Sequence, residues 1–228
     1  MRGKAQYRID TLLGLILFIS IPVALYMALI GAPTEKTMGD LQRIFYFHVP
    51  AAITGLTAFA LNFVASLMYL FRKNRWWDDL ALSSAELGIL FFGMVLITGP
   101  IWAKPVWFVW WTWSPRLTSS LILCLLYGAY MLIRKSFEDP DRRAVVAAVF
   151  GVIAFVDAPL VWFSIRWWRD HHPSAMLETG GLDPSMRPAF YICMAAFLIL
   201  FLYLLRRRFY LETMRNKVEW MIRRIDEA

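Results

Sequence analysis

The chain has 228 residues, 59% of them hydrophobic and only 18% charged, with the apolar residues gathered in runs too long for a soluble core. The formal charge of +7 would suggest nucleic acid in a soluble protein; here it is read as membrane topology, with lipid as the partner and no nucleic acid. The two cysteines, Cys124 and Cys193, lie inside apolar runs and outside any CxxC or CxxCH sequence, which excludes a disulfide framework and leaves them as small packed hydrophobes.

Six apolar segments follow one another, each near the ~20 residues a helix needs to cross a bilayer. They run about Thr11–Ala32, Ile44–Phe71, Leu80–Ile101, Leu117–Ile133, Ala144–Ile165 and Pro188–Leu205. The first follows basic residues and carries no small-x-small cleavage site, so it is read as a retained span. The expected fold is all-α, one integral-membrane domain over residues 1–228 with six transmembrane helices. The N-terminus, the second and fourth connections and the tail hold 17 of the 24 Lys and Arg, against seven on the other side. That bias puts both termini in the cytoplasm, and the loops 102–116 and 166–187 outside. The tail from Arg206 alternates basic, acidic and apolar residues. It reads either as a short amphipathic helix along the inner membrane surface or as a solvated helical end.

Five of the eleven tryptophans, Trp102, Trp107, Trp110, Trp111 and Trp113, fall in WAKPVWFVWWTW between spans three and four. Trp gathers at membrane interfaces, but this density exceeds what a belt requires. Indoles are rigid, flat and apolar, and a shelf of them suits a large flat ligand such as a porphyrin. All three histidines lie on the expected outer side: His48 in RIFYFHVPAA, and His171 and His172 in WWRDHHP. Imidazole is a common axial ligand of haem iron, so His48 and one of the pair could meet a porphyrin from opposite faces. Haem propionates need cationic partners. Arg43, Lys104 and Arg116 flank the site; for Arg116 propionate pairing and interfacial snorkelling weigh equally, and for Lys104 snorkelling is favoured. Asp157, two residues before Pro159 and inside span five, is a functional hypothesis by default, and Pro159 suggests a kink there. Glu86 is read as snorkelling or pairing with a loop arginine. No P-loop, HExxH or GxSxG sequence is present, so ATPase, metalloprotease and serine-hydrolase readings fail.

On these residues the chain resembles the haem exporter protein C family (CcmC) of the cytochrome c maturation system. WAKPVWFVWWTWSPRLTS is similar to the family's tryptophan-rich WWD signature, roughly WGKPxWGxWWxWDxRLTS. RIFYFHVPAA is similar to RIxYxHVPAA, and WWRDHHP to WWxxLHQ. The resemblance implies His48 and His172 as the two axial ligands of haem b on the outer face of the bacterial inner membrane. It implies delivery to the haem chaperone CcmE, with the ABC pair CcmA and CcmB and the small protein CcmD completing the assembly. Trp107, Trp110, Trp111 and Trp113 would form the platform, with Arg43 and Arg116 as propionate partners and no enzymatic turnover. A haem lyase of the CcsA type, joining haem directly to apocytochrome, is the alternative. Three departures stand out: Ser114–Pro115 replaces the signature Asp and its neighbour, Ala103 and Phe108 replace glycines, and His171 replaces a Leu beside the expected ligand.

Overall fold

The computed structural model describes residues 2–168 and 182–226, and within them the chain is helical with no strand beyond an isolated bridge between Glu35 and Gly39. Seven α-helices follow in order: α1 (Arg2–Tyr26), α2 (Phe45–Arg72), α3 (Arg75–Trp107), α4 (Pro115–Lys135), α5 (Pro140–Ala154), α6 (Asp157–Trp167) and α7 (Arg187–Asp226). A π turn (Met27–Gly31) extends α1, and a 3₁₀ turn (Asp40–Ile44) leads into α2. Taken with α5 and α6 as one crossing, six segments are long and apolar enough to span a membrane, as expected, and the chain is a multi-pass membrane protein.

The α2–α3 hairpin is the centre of the bundle. Its turn is two residues, Lys73 in the left-handed conformation at φ 52° closing α2 and Asn74 capping α3 by accepting from the Trp76 N–H at 2.9 Å. Small residues along the seam (Gly55, Ala58, Ala81, Ala85, Gly88) let the two backbones approach, which is how helices associate where lipid removes the hydrophobic drive. A Cβ at Gly88 would run into the ring of Phe59. That ring has nowhere to go, because it is stacked on Tyr127 of α4 at 3.8 Å and 16°. Cys193 is buried where α7 meets α1, and Cys124 is half-buried in α4; both are free thiols acting as packing residues.

Span five is not one helix. It stops at Ala154 and restarts at Asp157 after a tightened turn, in which the Val156 N–H donates to the Ile153 carbonyl at 3.1 Å and that of Ala158 to the Phe155 carbonyl at 3.0 Å. Asp157 therefore sits at a helix N-terminus, where the dipole favours a carboxylate, and Pro159 falls in the first turn of α6, where its missing N–H removes no helical bond.

The tail departs from expectation in part. No separate surface helix forms, because α7 runs unbroken for 40 residues. Its last turns are an exposed helical end, while polar side chains nearer its middle dock on the rest of the bundle. Glu86 of α3 makes a bidentate pair with Arg208 of α7, a helix arginine in place of the expected loop arginine. Arg208 also reaches Glu212 at 2.8 Å, Asp79 accepts from Thr213 at 2.9 Å and from Asn216, and Arg206 pairs with Asp10 of α1 at 3.0 Å. The most enclosed member of this basic end joins α3 to α4. The guanidinium of Arg134 forks onto Asp78 at 2.5 and 2.9 Å, with the two side chains only 6% and 3% exposed.

Candidate functional site

At the opposite end of the bundle, His48 lies in the first turn of α2. Its Nδ1 is 2.8 Å from Thr98 Oγ1 on α3, and its Cε1 lies beside Gly99, at ordinary contact distance from where a Cβ would stand. Arg116, in the first turn of α4, is close enough to interact electrostatically with the His48 ring. α2 and α3 thus meet at one imidazole, with a guanidinium from α4 within electrostatic range. An imidazole held at Nδ1 presents a metal through Nε2, so the donor chemistry here fits haem iron. Among the described residues no group of three or more His, Cys, Asp or Glu gathers as a chelating site for a bare metal ion.

The tryptophan stretch is divided between helix and connection. α3 continues through Pro100 and Pro105 to Trp107, so the open connection is residues 108–114, shorter than the expected loop of 102–116. Prolines are tolerated inside membrane helices when neighbouring groups take up the freed carbonyls. Phe108 ends α3 at φ 62°, and Lys104 Nζ donates to its carbonyl at 3.1 Å while lying 5.9 Å above the Trp110 ring. Lys104 thus closes a helix end. Phe108 occupies a glycine position of the resembled signature, and its left-handed φ is the conformation glycine adopts at no steric cost.

The indoles form two edge-to-face pairs instead of a single flat layer. Trp102 and Trp107 meet on α3 at 5.2 Å and 86°, and Trp111 and Trp113 meet in the connection at 6.0 Å and 77°. Trp110 and Trp113 are 59% and 76% exposed, and Phe108 81%, so broad aromatic surface faces outward here. Trp111 Nε1 and Thr118 Oγ1 are buried with no protein partner, two polar atoms that a ligand could satisfy.

Ser114 explains the missing signature Asp. It is the N-cap of α4, accepting from the Leu117 N–H at 3.5 Å, with Pro115 in the first helical turn. Asp and Ser are near-equivalent caps, so the position demands a short acceptor more than a charge. Ser114→Ala is expected to lower stability by about 0.5–2 kcal/mol, and Ser114→Asp to leave it unchanged or raise it, in thermal unfolding of the detergent-solubilised protein. An Asp variant as unstable as the Ala variant would refute the capping role.

Arg43 sits differently from expectation. Its Nε pairs with Asp40 at 3.0 Å, Nη1 donates to the carbonyls of Ala28 and Ala32 at 3.1 and 3.3 Å, and Nη2 reaches Thr34 Oγ1 at 3.4 Å. Most of its five donors are therefore spent closing the π turn after α1 onto the entry to α2. In the same loop the Glu35 carboxylate accepts from the N–H groups of Met38 and Thr37, which hold it below the ordinary carboxylate range. His171 and His172 lie outside the described residues. Leading toward them, Phe163 and Trp167 stack at 5.4 Å, and Trp168 meets Trp167 edge-on at 5.7 Å. This aromatic cluster and Thr98 were not singled out from sequence. The WW pair before the histidines was a usable signal for the cluster; a lone threonine gave none for Thr98.

The chain matches the family model described as Heme exporter protein C over residues 4–224. It is similar to the Heme exporter protein C of Paracoccus denitrificans, 34% identical over 86% of this chain and 83% of the relative. It is also similar to the protein of that name from Bradyrhizobium diazoefficiens, 32% identical over 88% of this chain and 75% of the relative. The Escherichia coli K12 protein is 31% identical over 83% of this chain and 78% of its own length.

Proposed function

The chain belongs to the heme exporter protein C family, and from that premise we propose that it binds haem b at the tryptophan end of the bundle and passes it on for cytochrome c maturation. The observation that carries this reading is the convergence of His48, Thr98 and Arg116 from three helices beside an exposed aromatic connection. His48 is the first axial ligand and His172 the second. Trp107, Trp110, Trp111 and Trp113 cover the ring edges. Arg116 answers a propionate; Arg43 is the weaker candidate because its donors already serve the first loop.

Both termini face the cytoplasm of a bacterial inner membrane, and the haem end faces outward, as the 17-to-7 split of basic residues supports. The recipient is a CcmE-like chaperone, with CcmA, CcmB and CcmD as partners. The chain acts by binding and delivery, with no catalytic turnover of its own. Haem is cargo here. The protein's own groups hold the iron, shield the apolar ring and neutralise one edge. A CcsA-like lyase is the second reading, and it would require this chain to join haem to a cysteine-bearing apocytochrome without a chaperone.

The test is the purified wild-type protein. We expect co-purified haem that extracts as b-type and gives a six-coordinate visible spectrum after reduction. Protein that is folded, carries no haem and takes none up on titration would overturn the reading.

A further inference from the structure

We propose that Thr98 is the positioning residue of His48: its hydroxyl fixes the proton on Nδ1 and so aims the Nε2 lone pair of the ring at the cargo iron. This rests on the reading above that His48 is an iron ligand, and it adds the group that makes the ring competent.

A count of hydrogens decides which ring nitrogen carries the proton. A threonine hydroxyl has one proton to give and lone pairs to accept with. Thr98 Oγ1 lies 2.7 Å from the Met94 carbonyl oxygen, and 3.5 Å from that of Val95. A carbonyl cannot donate, so the hydroxyl proton goes to Met94. Oγ1 then faces His48 Nδ1 at 2.8 Å with only lone pairs. The bond forms if Nδ1 carries hydrogen. The reverse assignment would leave two oxygens 2.7 Å apart with no proton between them. In a neutral imidazole one nitrogen donates and the other accepts, so a protonated Nδ1 puts the lone pair on Nε2. Metal-ligating histidines are typically oriented by a donated bond of this kind from the ring nitrogen that does not bind the metal.

The same contacts fix the angle of the ring. Thr98 is held by its own bond to the preceding turn of α3, and the imidazole edge packs beside the next residue, Gly99. His48 is therefore carried by α2 and aimed by α3. The pair is part-buried, which limits competition from water for the hydroxyl.

The test compares Thr98→Val, which keeps the shape and removes the hydroxyl, with Thr98→Ser, which keeps the hydroxyl. With only three histidines in the chain, ¹⁵N-imidazole spectra of haem-free protein read tautomers directly. Wild type and Thr98→Ser are expected to show one ring as the Nδ1–H tautomer, and Thr98→Val to lose that signal. In haem titrations Thr98→Val should bind about 10–100-fold more weakly, and its bound haem should have a higher reduction midpoint, because the ligand is less basic. Thr98→Ser should match wild type in both. A Thr98→Val protein with the wild-type tautomer and affinity within twofold overturns the proposal. So does a Thr98→Ser protein as impaired as Thr98→Val, since the methyl would then be what matters. The tautomer measurement needs no haem. Failure of wild type to bind haem would thus sink the function while leaving this inference to be judged on its own.

Discussion

His48→Ala protein is expected to purify with its fold intact and its haem gone or five-coordinate. The ring sits in the first turn of α2, and its contacts include Thr98, Gly99 and the charge of Arg116. The ring lies at the end of the α2–α3 hairpin, and the small-residue seam that joins the two helices stays in place when it is truncated. Losing an orienting partner costs about 10–100-fold in metal affinity, and losing the ligand itself should cost more. The measurement is haem titration followed in the Soret region, paired with a thermal melt of the haem-free protein. Binding within threefold of wild type would remove His48 from the site. A collapsed melting temperature would show that the residue is structural.

The second large effect lies at the other end and concerns stability. Arg134→Ala should destabilise the protein by about 3–5 kcal/mol, the cost of leaving a buried carboxylate with no partner. Asp78 is enclosed, and the Arg134 fork fills both of its oxygens. Replacing both residues together by Leu and Met should cost far less than the sum of the single changes, because a buried pair often does little better than apolar groups of the same volume. A double-mutant cycle in detergent unfolding measures this. Single variants within about 1 kcal/mol of wild type would show that the pair is solvated and not enclosed.

What sequence made legible and what it hid divide along a physical line. Six crossings were readable because each needs a long apolar run, and length and hydropathy are local properties. The break at Phe155–Val156 was half readable, since Pro159 announced a bend; that Asp157 opens a new helix required the hydrogen-bond pattern. The docking of the tail was hidden because its partners, Asp79, Glu86 and Arg143, lie far off in the chain. The engagement of Arg43 was hidden for the same reason. Its position just before α2 was visible, but the carbonyls of Ala28 and Ala32 that occupy it were not. The signature Asp carried most of its meaning as a residue type. Only the start of α4 shows that the position is an N-cap that serine also fills.

In the proposed function two imidazoles, one from α2 and one from the connection between α6 and α7, bind a single iron. Near-infrared magnetic circular dichroism of the ferric protein reads the axial pair directly. Wild type and His171→Ala should give the bis-imidazole charge-transfer band, while His48→Ala and His172→Ala should each lose it. If His171→Ala alone abolishes the band, the second ligand moves by one residue and the platform stands. If wild type lacks the band, or His48→Ala keeps it, the tryptophan end of this bundle does not hold haem in the way described.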